Sequence, residues 1–178
     1  REMQDTFFVK PGVVLRTHTS PVQIRTMEKR KPPLQVITTG RVYRHDKDTS
    51  HSPMFHQLEG FLVDDRTTFI ELKGVLYEVL RSLFGKDVEM RFRKNFFPFT
   101  EPSGEIDIRR AGSWGGRWME ILGCGMIHPN VLRNVGHDPE KCQGFAFGMG
   151  LDRIAMLKYG IDEIRVLFEN DQRVLEHF

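Results

Sequence analysis

Four short stretches of this 178-residue chain carry side chains suited to chemistry. The first is Phe55-His56-Gln57-Leu58-Glu59-Gly60. Side chains alternate between the faces of a strand, so Phe55, Gln57, Glu59 and Phe61 share one face, with Leu58 and Leu62 on the other. A carboxylate among aromatic rings is costly unless it holds a cation, and an ammonium group would suit Glu59. A polar strand facing water is the alternative. The second stretch is Tyr43-Arg44-His45-Asp46, with Arg44 and Asp46 on one side and Lys47, Ser50 and His51 in the loop beyond. A guanidinium matches a phosphate in two-point contact, although a structural ion pair explains Arg44 and Asp46 at least as well. The third is Phe96-Phe97-Pro98-Phe99-Thr100-Glu101-Pro102. Extended geometry at Pro98 would put Phe97 and Phe99 on the same side, as an aromatic pocket or as plain core. Glu101 suits either Mg²⁺ or the cap of a turn. The fourth runs from Gly144 to Arg153, with Gly148 and Gly150 ahead of Arg153. It lacks the third glycine of a dinucleotide fingerprint and the lysine pair of a P-loop. Its small residues would let a ligand reach the backbone, and Arg153 would stand in the electropositive first turn of a helix.

These residues need elements to hold them. Val13–Arg16, Leu34–Thr38, Gly40–Arg44 and Phe55–Asp64 read as strands, the last two joined by a polar loop over Asp46–Pro53. Thr68 and Glu71 are spaced as a capping box, and Leu72, Val75, Leu76, Val79, Leu80 and Leu83 follow at helical spacing up to Gly85. Gly74 weakens that helix, and close packing against it would be the compensation. Val88–Arg93, Glu105–Arg109, Trp118–Leu122 and Phe145–Phe147 read as further strands. Pro129–Asn134 reads as a short helix with Pro129 in its first position, and Leu151–Tyr159 as a helix closed by Gly160. Strands come in consecutive runs, so the pattern is α+β with a mostly antiparallel sheet, not a doubly wound parallel fold.

Composition narrows the function. Hydrophobic residues make up 39% and charged residues 28%, which excludes disordered and collagen-like chains. No apolar run approaches the ~18 residues of a transmembrane helix. Two cysteines, Cys124 and Cys142, cannot build a disulfide framework or a four-cysteine zinc site, and both read as buried small residues. A zinc enzyme is also disfavoured because His51 and His56 lack a third ligand at familiar spacing. A reducing, cytoplasmic setting is the default. Net charge is +2, too balanced for nucleic-acid binding by bulk charge. Lys and Arg nevertheless crowd between Arg16 and Arg44, against the single acid Glu28, as a solvated face or a surface for phosphates.

Taken together, the four stretches resemble a known family. An arginine strand, a loop, a return strand and a late Gly-x-Gly-x-x-Arg are similar to motifs 2 and 3 of class II aminoacyl-tRNA synthetases. Thr17-His18-Thr19-Ser20-Pro21, Phe55 to Gly60, Phe97-Pro98-Phe99 and Gly144 to Gly148 resemble the bacterial phenylalanyl-tRNA synthetase α-subunit family. The resemblance runs from about Gln4 to the C-terminus. It implies one catalytic domain over residues 1–178, without most of motif 1 and without the N-terminal tRNA-binding region, and Arg1 as a cut inside a longer protein.

The fold so implied is a class II synthetase-like antiparallel sheet flanked by helices. The implied activity is ATP-dependent activation of L-phenylalanine, then transfer to the 2′-hydroxyl of the terminal adenosine of tRNA(Phe). Arg44 and Arg153 would be catalytic. ATP would meet Arg44 at its α-phosphate, His51 at its outer phosphates and Asp46, with Phe55 and Arg153 around adenine and Gly150 beneath. Gln57 and Glu59 would hold the phenylalanine ammonium, with His18, Ser20 and Gln23 nearby. Phe97 and Phe99 would meet its ring edge-on, over a floor of Ala146 and Gly148. Glu101 would help bind Mg²⁺. The implied partners are phenylalanine, tRNA(Phe) and a β subunit in an α2β2 assembly, with no membrane. A synthetase-like binding or regulatory module without ligase activity is one alternative, and the presence of Arg44 and Arg153 weighs against it. A relative activating another amino acid, such as a pyrrolysyl-type enzyme, is the other, and Phe97, Phe99 and Ala146 weigh against that.

Overall fold

Six antiparallel strands in the spatial order β3-β4-β8-β7-β6-β5 form the frame of the molecule. They are β3 (Leu34–Tyr43), β4 (Met54–Asp64), β5 (Glu89–Phe97), β6 (Thr100–Arg109), β7 (Met119–Ile127) and β8 (Gln143–Gly150). A small pair, β1 (Phe8–Lys10) and β2 (Val13–Val14), stands apart. The computed structural model describes residues 6–45, 52–112 and 114–176. The antiparallel α+β expectation therefore holds. Among the described residues, no helix is long and apolar enough to cross a membrane.

The two faces of the sheet are covered differently, and the cause is the period of two along each strand. On β8, Phe145, Phe147 and Met149 join Ile106, Leu122 and Cys124 in the larger core cluster. Helix α2 (Phe69–Phe84) lays Leu72, Leu76, Leu80 and Phe84 on that face at helical spacing. It starts in a complete capping box between Thr68 and Glu71 and stops at Gly85, whose φ of 92° favours glycine. On the opposite face, Ala146 belongs to a second cluster with Phe61, Val63, Leu34 and Ile127. Helices α1 (Pro21–Met27) and α3 (Pro129–Asn134) contribute Met27 and Leu132 to it. The rest of that face is left open by small residues. Helix α4 (Leu151–Tyr159) leaves the end of β8 without a loop and ends at Gly160, which takes the left-handed conformation.

Several boundaries differ from the sequence expectation. Leu34–Thr38 and Gly40–Arg44 are one strand, because Gly40 sits inside β3 under the Arg16 guanidinium, with no room for a Cβ. Trp118–Leu122 and Glu105–Arg109 lie within longer strands. Gly123, Gly125, Pro102 and Gly104 read as breakers, but neighbouring strands satisfy their backbone and a register shift near Pro102 absorbs the proline. Val13–Arg16 keeps only two residues in strand form. Helix α1 went unpredicted, although Ser20-Pro21 is a usable start signal and Gln23 and Met27 share its buried side. Phe97-Pro98-Phe99 is a tight turn between β5 and β6, not an extended run. The basic stretch divides. Arg44 reaches the cavity described below, whereas Arg25, Lys29, Arg30, Lys31 and Arg41 are exposed.

Gly74 packs against nothing: a Cβ built there has no neighbour within 4 Å. The expected close approach is absent, and the position carries only the cost of glycine in a helix. Gly74→Ala should stabilise the fold by about 0.5–1 kcal/mol and raise the melting temperature in a thermal unfolding experiment. A lowered melting temperature would show that the exposed face of α2 is not free.

Candidate functional site

A cavity of about 500 Å³ opens on the small-residue face of the sheet. Its floor is the backbone of the two central strands. Register pairs Gly148 with Gly123 across β8 and β7, and Ala146 with Gly125. On the other side Gly148 pairs with Glu59 and Gly150 with Gln57. The central strands thus supply room and β4 supplies functional groups. Gly148 cannot gain a side chain without displacing Gln57, because its Cβ would lie 2.7 Å from Gln57 Nε2.

Glu59 is 2% exposed and sits at one end of this floor. Gln23 Nε2 donates to its Oε1 at 2.5 Å, and the Thr19 and Ser20 hydroxyls donate to its Oε2 at 2.9 and 3.3 Å. All three donors are neutral. Burial pushes the Glu59 carboxyl above the ordinary value of 4.5, and these hydrogen bonds offset only part of that. Helix α1 makes the arrangement possible. Its N-cap Ser20 and its buried Gln23 face the same way as Met27, so packing of the methionine delivers the polar pair to Glu59. Gln57 is held by the buried Thr19, whose backbone N–H donates to Gln57 Oε1 at 3.1 Å.

The other end is cationic and aromatic. Arg44 follows β3 directly. Its Nε donates to the Thr17 carbonyl at 3.0 Å and its Nη2 to His18 Nδ1 at 3.1 Å. Its guanidinium lies 5.0 Å from the centre of the Phe55 ring. Arg153 stands in the first turn of α4, at the electropositive end, and donates to the Glu120 carbonyl at 3.3 Å. Gly150 approaches the Phe55 ring, with a Cβ position 4.0 Å from Phe55 Cδ2. A wall of rings joins the two ends. Phe97 and Phe99 stack at 5.8 Å, and Phe99 meets His18 edge-on at 6.0 Å. The tight turn, not extended geometry, puts Phe97 and Phe99 side by side, and the Phe97 ring lies over Gly123.

The cavity brings together most of the residues that sequence reasoning singled out: His18, Ser20, Gln23, Arg44, Phe55, Gln57, Glu59, Phe97, Phe99, Ala146, Gly148, Gly150 and Arg153 all line it. Asp46 and His51 lie outside the described residues. Glu101 does not line it. That side chain is 75% exposed and pairs with His128 Nε2 at 3.3 Å. Among the described residues, no group of three His, Cys, Asp or Glu can hold a metal ion. Cavity carboxylates that sequence reasoning missed, Glu105 and Glu120, are engaged by Arg93 at 2.9 and 3.4 Å. The described residues alone therefore do not build a magnesium cage. Asp152 was also missed. It binds the His56 backbone N–H at 2.5 Å and the His56 ring at 3.2 Å, tying α4 to β4 between Phe55 and Arg153. An acid beside the arginine of a helix start was the available signal. Both cysteines are buried and free, and burial pushes the Cys124 thiol up to about 12.

The raised Glu59 carboxyl holds its proton more tightly in the fold than in the unfolded chain. Its contribution to stability is complete below the ordinary carboxylate value and is lost as pH rises through the raised one. The melting temperature of the ligand-free protein, relative to its Glu59→Gln variant, should therefore fall as pH rises from about 5 to about 8. A difference independent of pH would mean that Glu59 titrates as an ordinary surface carboxylate.

Comparison with known proteins agrees with this geometry. The family model described as tRNA synthetases class II core domain (F) matches residues 1–178. The phenylalanine–tRNA ligase alpha subunit of Aliivibrio fischeri is 58% identical over 178 residues, covering 100% of this chain and 54% of that protein. The protein of the same name from Photobacterium profundum is 59% identical with the same coverage. The chain spans about half the length of the curated relatives it matches. A solved pyrrolysyl-tRNA synthetase from Desulfitobacterium hafniense has the same fold, with a TM-score of 0.68 at 15% identity over 94% of this chain and 58% of that one. With the family model spanning every residue and an antiparallel sheet carrying the cavity, this chain belongs to the tRNA synthetase class II core-domain family.

Proposed function

We propose that this chain is the catalytic part of a phenylalanine–tRNA ligase, which activates L-phenylalanine with ATP and transfers it to the 2′-hydroxyl of the terminal adenosine of tRNA(Phe). The observation that carries this reading is the polarity of the cavity. One end is a buried carboxylate with only neutral partners, the other end is two arginines beside an aromatic ring, and stacked phenylalanine rings lie between. A zwitterionic aromatic amino acid joined to a nucleotide matches that order. The names of the relatives support the choice of amino acid.

In this mechanism Glu59 receives the ammonium, helped by Ser20 and Gln23. Phe97 and Phe99 pack on the side-chain ring, and Ala146 with Gly148 limits its depth. Phe55 and Arg153 take the adenine ring and Arg44 the α-phosphate, with Asp46 and His51 as further nucleotide contacts. The substrate carboxylate attacks the α-phosphorus in line, a carboxyl oxygen–phosphorus bond forms, and pyrophosphate leaves with the electron pair. The ribose hydroxyl then adds to the acyl carbon. The bond to AMP breaks and the hydroxyl proton passes to the departing phosphate. No protein nucleophile takes part, so the enzyme contributes position and charge. Magnesium would accompany ATP as its phosphate counter-ion. Glu101 offers it one carboxylate, the remaining ligands coming from phosphate, water or a partner, and no step is assigned to the ion. The same reading places the chain in a cytoplasmic α2β2 assembly with a β subunit.

Arg44→Ala in the complete protein, with its partner subunit, should lower phenylalanine-dependent pyrophosphate exchange by about 10²–10³-fold, since it removes charge stabilisation at the transferring phosphorus. Unchanged exchange would remove Arg44 from catalysis. Ala146→Gly should deepen the ring pocket and admit para-substituted phenylalanines in the same assay. If the range of substrates does not broaden, Ala146 is not the floor.

A further inference from the structure

The two amides of the cavity face opposite ways, and the protein itself sets their directions. Thr19 presents a backbone N–H to Gln57, and an N–H can only donate, so the Gln57 oxygen must face it. The NH₂ of Gln57 is then turned away from Thr19, over the bare backbone of Gly148, where a Cβ would come within 2.7 Å of it. Gln23 is oriented in the opposite sense. Its NH₂ is used by the Glu59 carboxylate, which can only accept, so its oxygen is the group left for a ligand. Both side chains line the cavity. One end therefore offers acceptors, Glu59 and Gln23 Oε1, and the next position along β4 offers a donor, Gln57 Nε2.

An ammonium has N–H donors only and cannot take a hydrogen bond from an amide NH₂. Gln57 is thus wrongly polarised for the ammonium role that sequence reasoning gave it. Building on the proposed function, we propose that Gln57 Nε2 donates to the carboxylate oxygen of the amino acid that does not attack phosphorus, and stays on that oxygen as the carbonyl of the adenylate. The ammonium then belongs to Glu59 and Gln23 alone. Strand β4 supports this order. Glu59, Gln57 and Phe55 follow one another on one face, about 6.6 Å apart at the rise of a strand. Their assigned partners, ammonium, acyl oxygen and adenine, follow in the same order along an aminoacyl-adenylate. Thr19, 1% exposed, is the positioning residue for both side chains: its N–H turns Gln57 and its hydroxyl holds Glu59.

The test separates the two ends of the substrate. Calorimetry on the complete protein with its partner subunit would compare L-phenylalanine with 2-phenylethylamine, which keeps ring and ammonium and lacks the carboxylate. Gln57→Met should weaken phenylalanine about tenfold or more, as for a lost hydrogen bond to a charged group, and change 2-phenylethylamine less than about twofold. Glu59→Gln should weaken both ligands. Loss of 2-phenylethylamine affinity in Gln57→Met equal to the loss for phenylalanine would overturn the donor role and leave the proposed function standing. Wild-type protein that binds neither ligand would overturn the function, and the donor role with it. The wild-type protein gives a second readout if the variant fails to fold. The side-chain amide resonances of Gln57 should shift on adding phenylalanine and stay in place with 2-phenylethylamine; a shift with both would overturn the assignment.

Discussion

Glu59 is held where water cannot hydrate it, in the second strand of a six-stranded sheet. A buried carboxylate is tolerated only when its lone pairs are occupied. That requirement organises much of what surrounds it. Helix α1 must begin at Ser20 for the hydroxyl to reach, and must place Gln23 and Met27 on one side. Thr19 must be buried so that its hydroxyl and its N–H meet Glu59 and Gln57 at once. The partners supply dipoles and no positive charge, so the carboxyl stays above its ordinary value. A cationic ligand group would relieve it. The site is in this sense unfinished without its substrate, and the incompleteness is a source of selectivity.

The second constraint is room. A sheet face in a protein of this size is normally filled by side chains, as the α2 face is. On the opposite face the central strands carry Gly123, Gly125, Ala146, Gly148 and Gly150, and the space they vacate is the cavity. The same glycines let their neighbours close in: Phe97 lies over Gly123, and Gln57 over Gly148. Ligand groups therefore meet rigid backbone beneath and oriented side chains at the rim. Asp152 adds a tie across the rim, fixing the start of α4 to His56 and so setting Arg153 relative to Phe55. Preorganisation of this kind suits a reaction in which the protein supplies geometry and charge and forms no covalent bond.

Much of this was legible in the chain. The capping box, the leucine spacing of α2 and the alternation in β4 are local signals, and local signals survive folding. The family motifs located thirteen of the cavity residues before any coordinates. Strand lengths were less legible. Gly123 to Ile127 and Thr100 to Gly104 break the pattern of β-formers, yet both lie in the sheet because neighbours on each side pair with them. Gly74 misled in the other direction, since a glycine that eases packing and one that faces water are identical in sequence.

The sequence by itself determined which chemical groups are present and on which side of each strand they stand, because side-chain type and the period of two are properties of the local chain. It could not determine how those groups are turned or satisfied. Whether Gln57 offers oxygen or NH₂ depends on a backbone N–H thirty-eight residues away, and whether Glu59 prefers its proton depends on burial and on three donors from another segment. Hydrogen-bond direction and desolvation are relations between distant parts of the chain. Only the tertiary structure sets them, and they separate the end of the cavity that takes an ammonium from the position that takes an acyl oxygen.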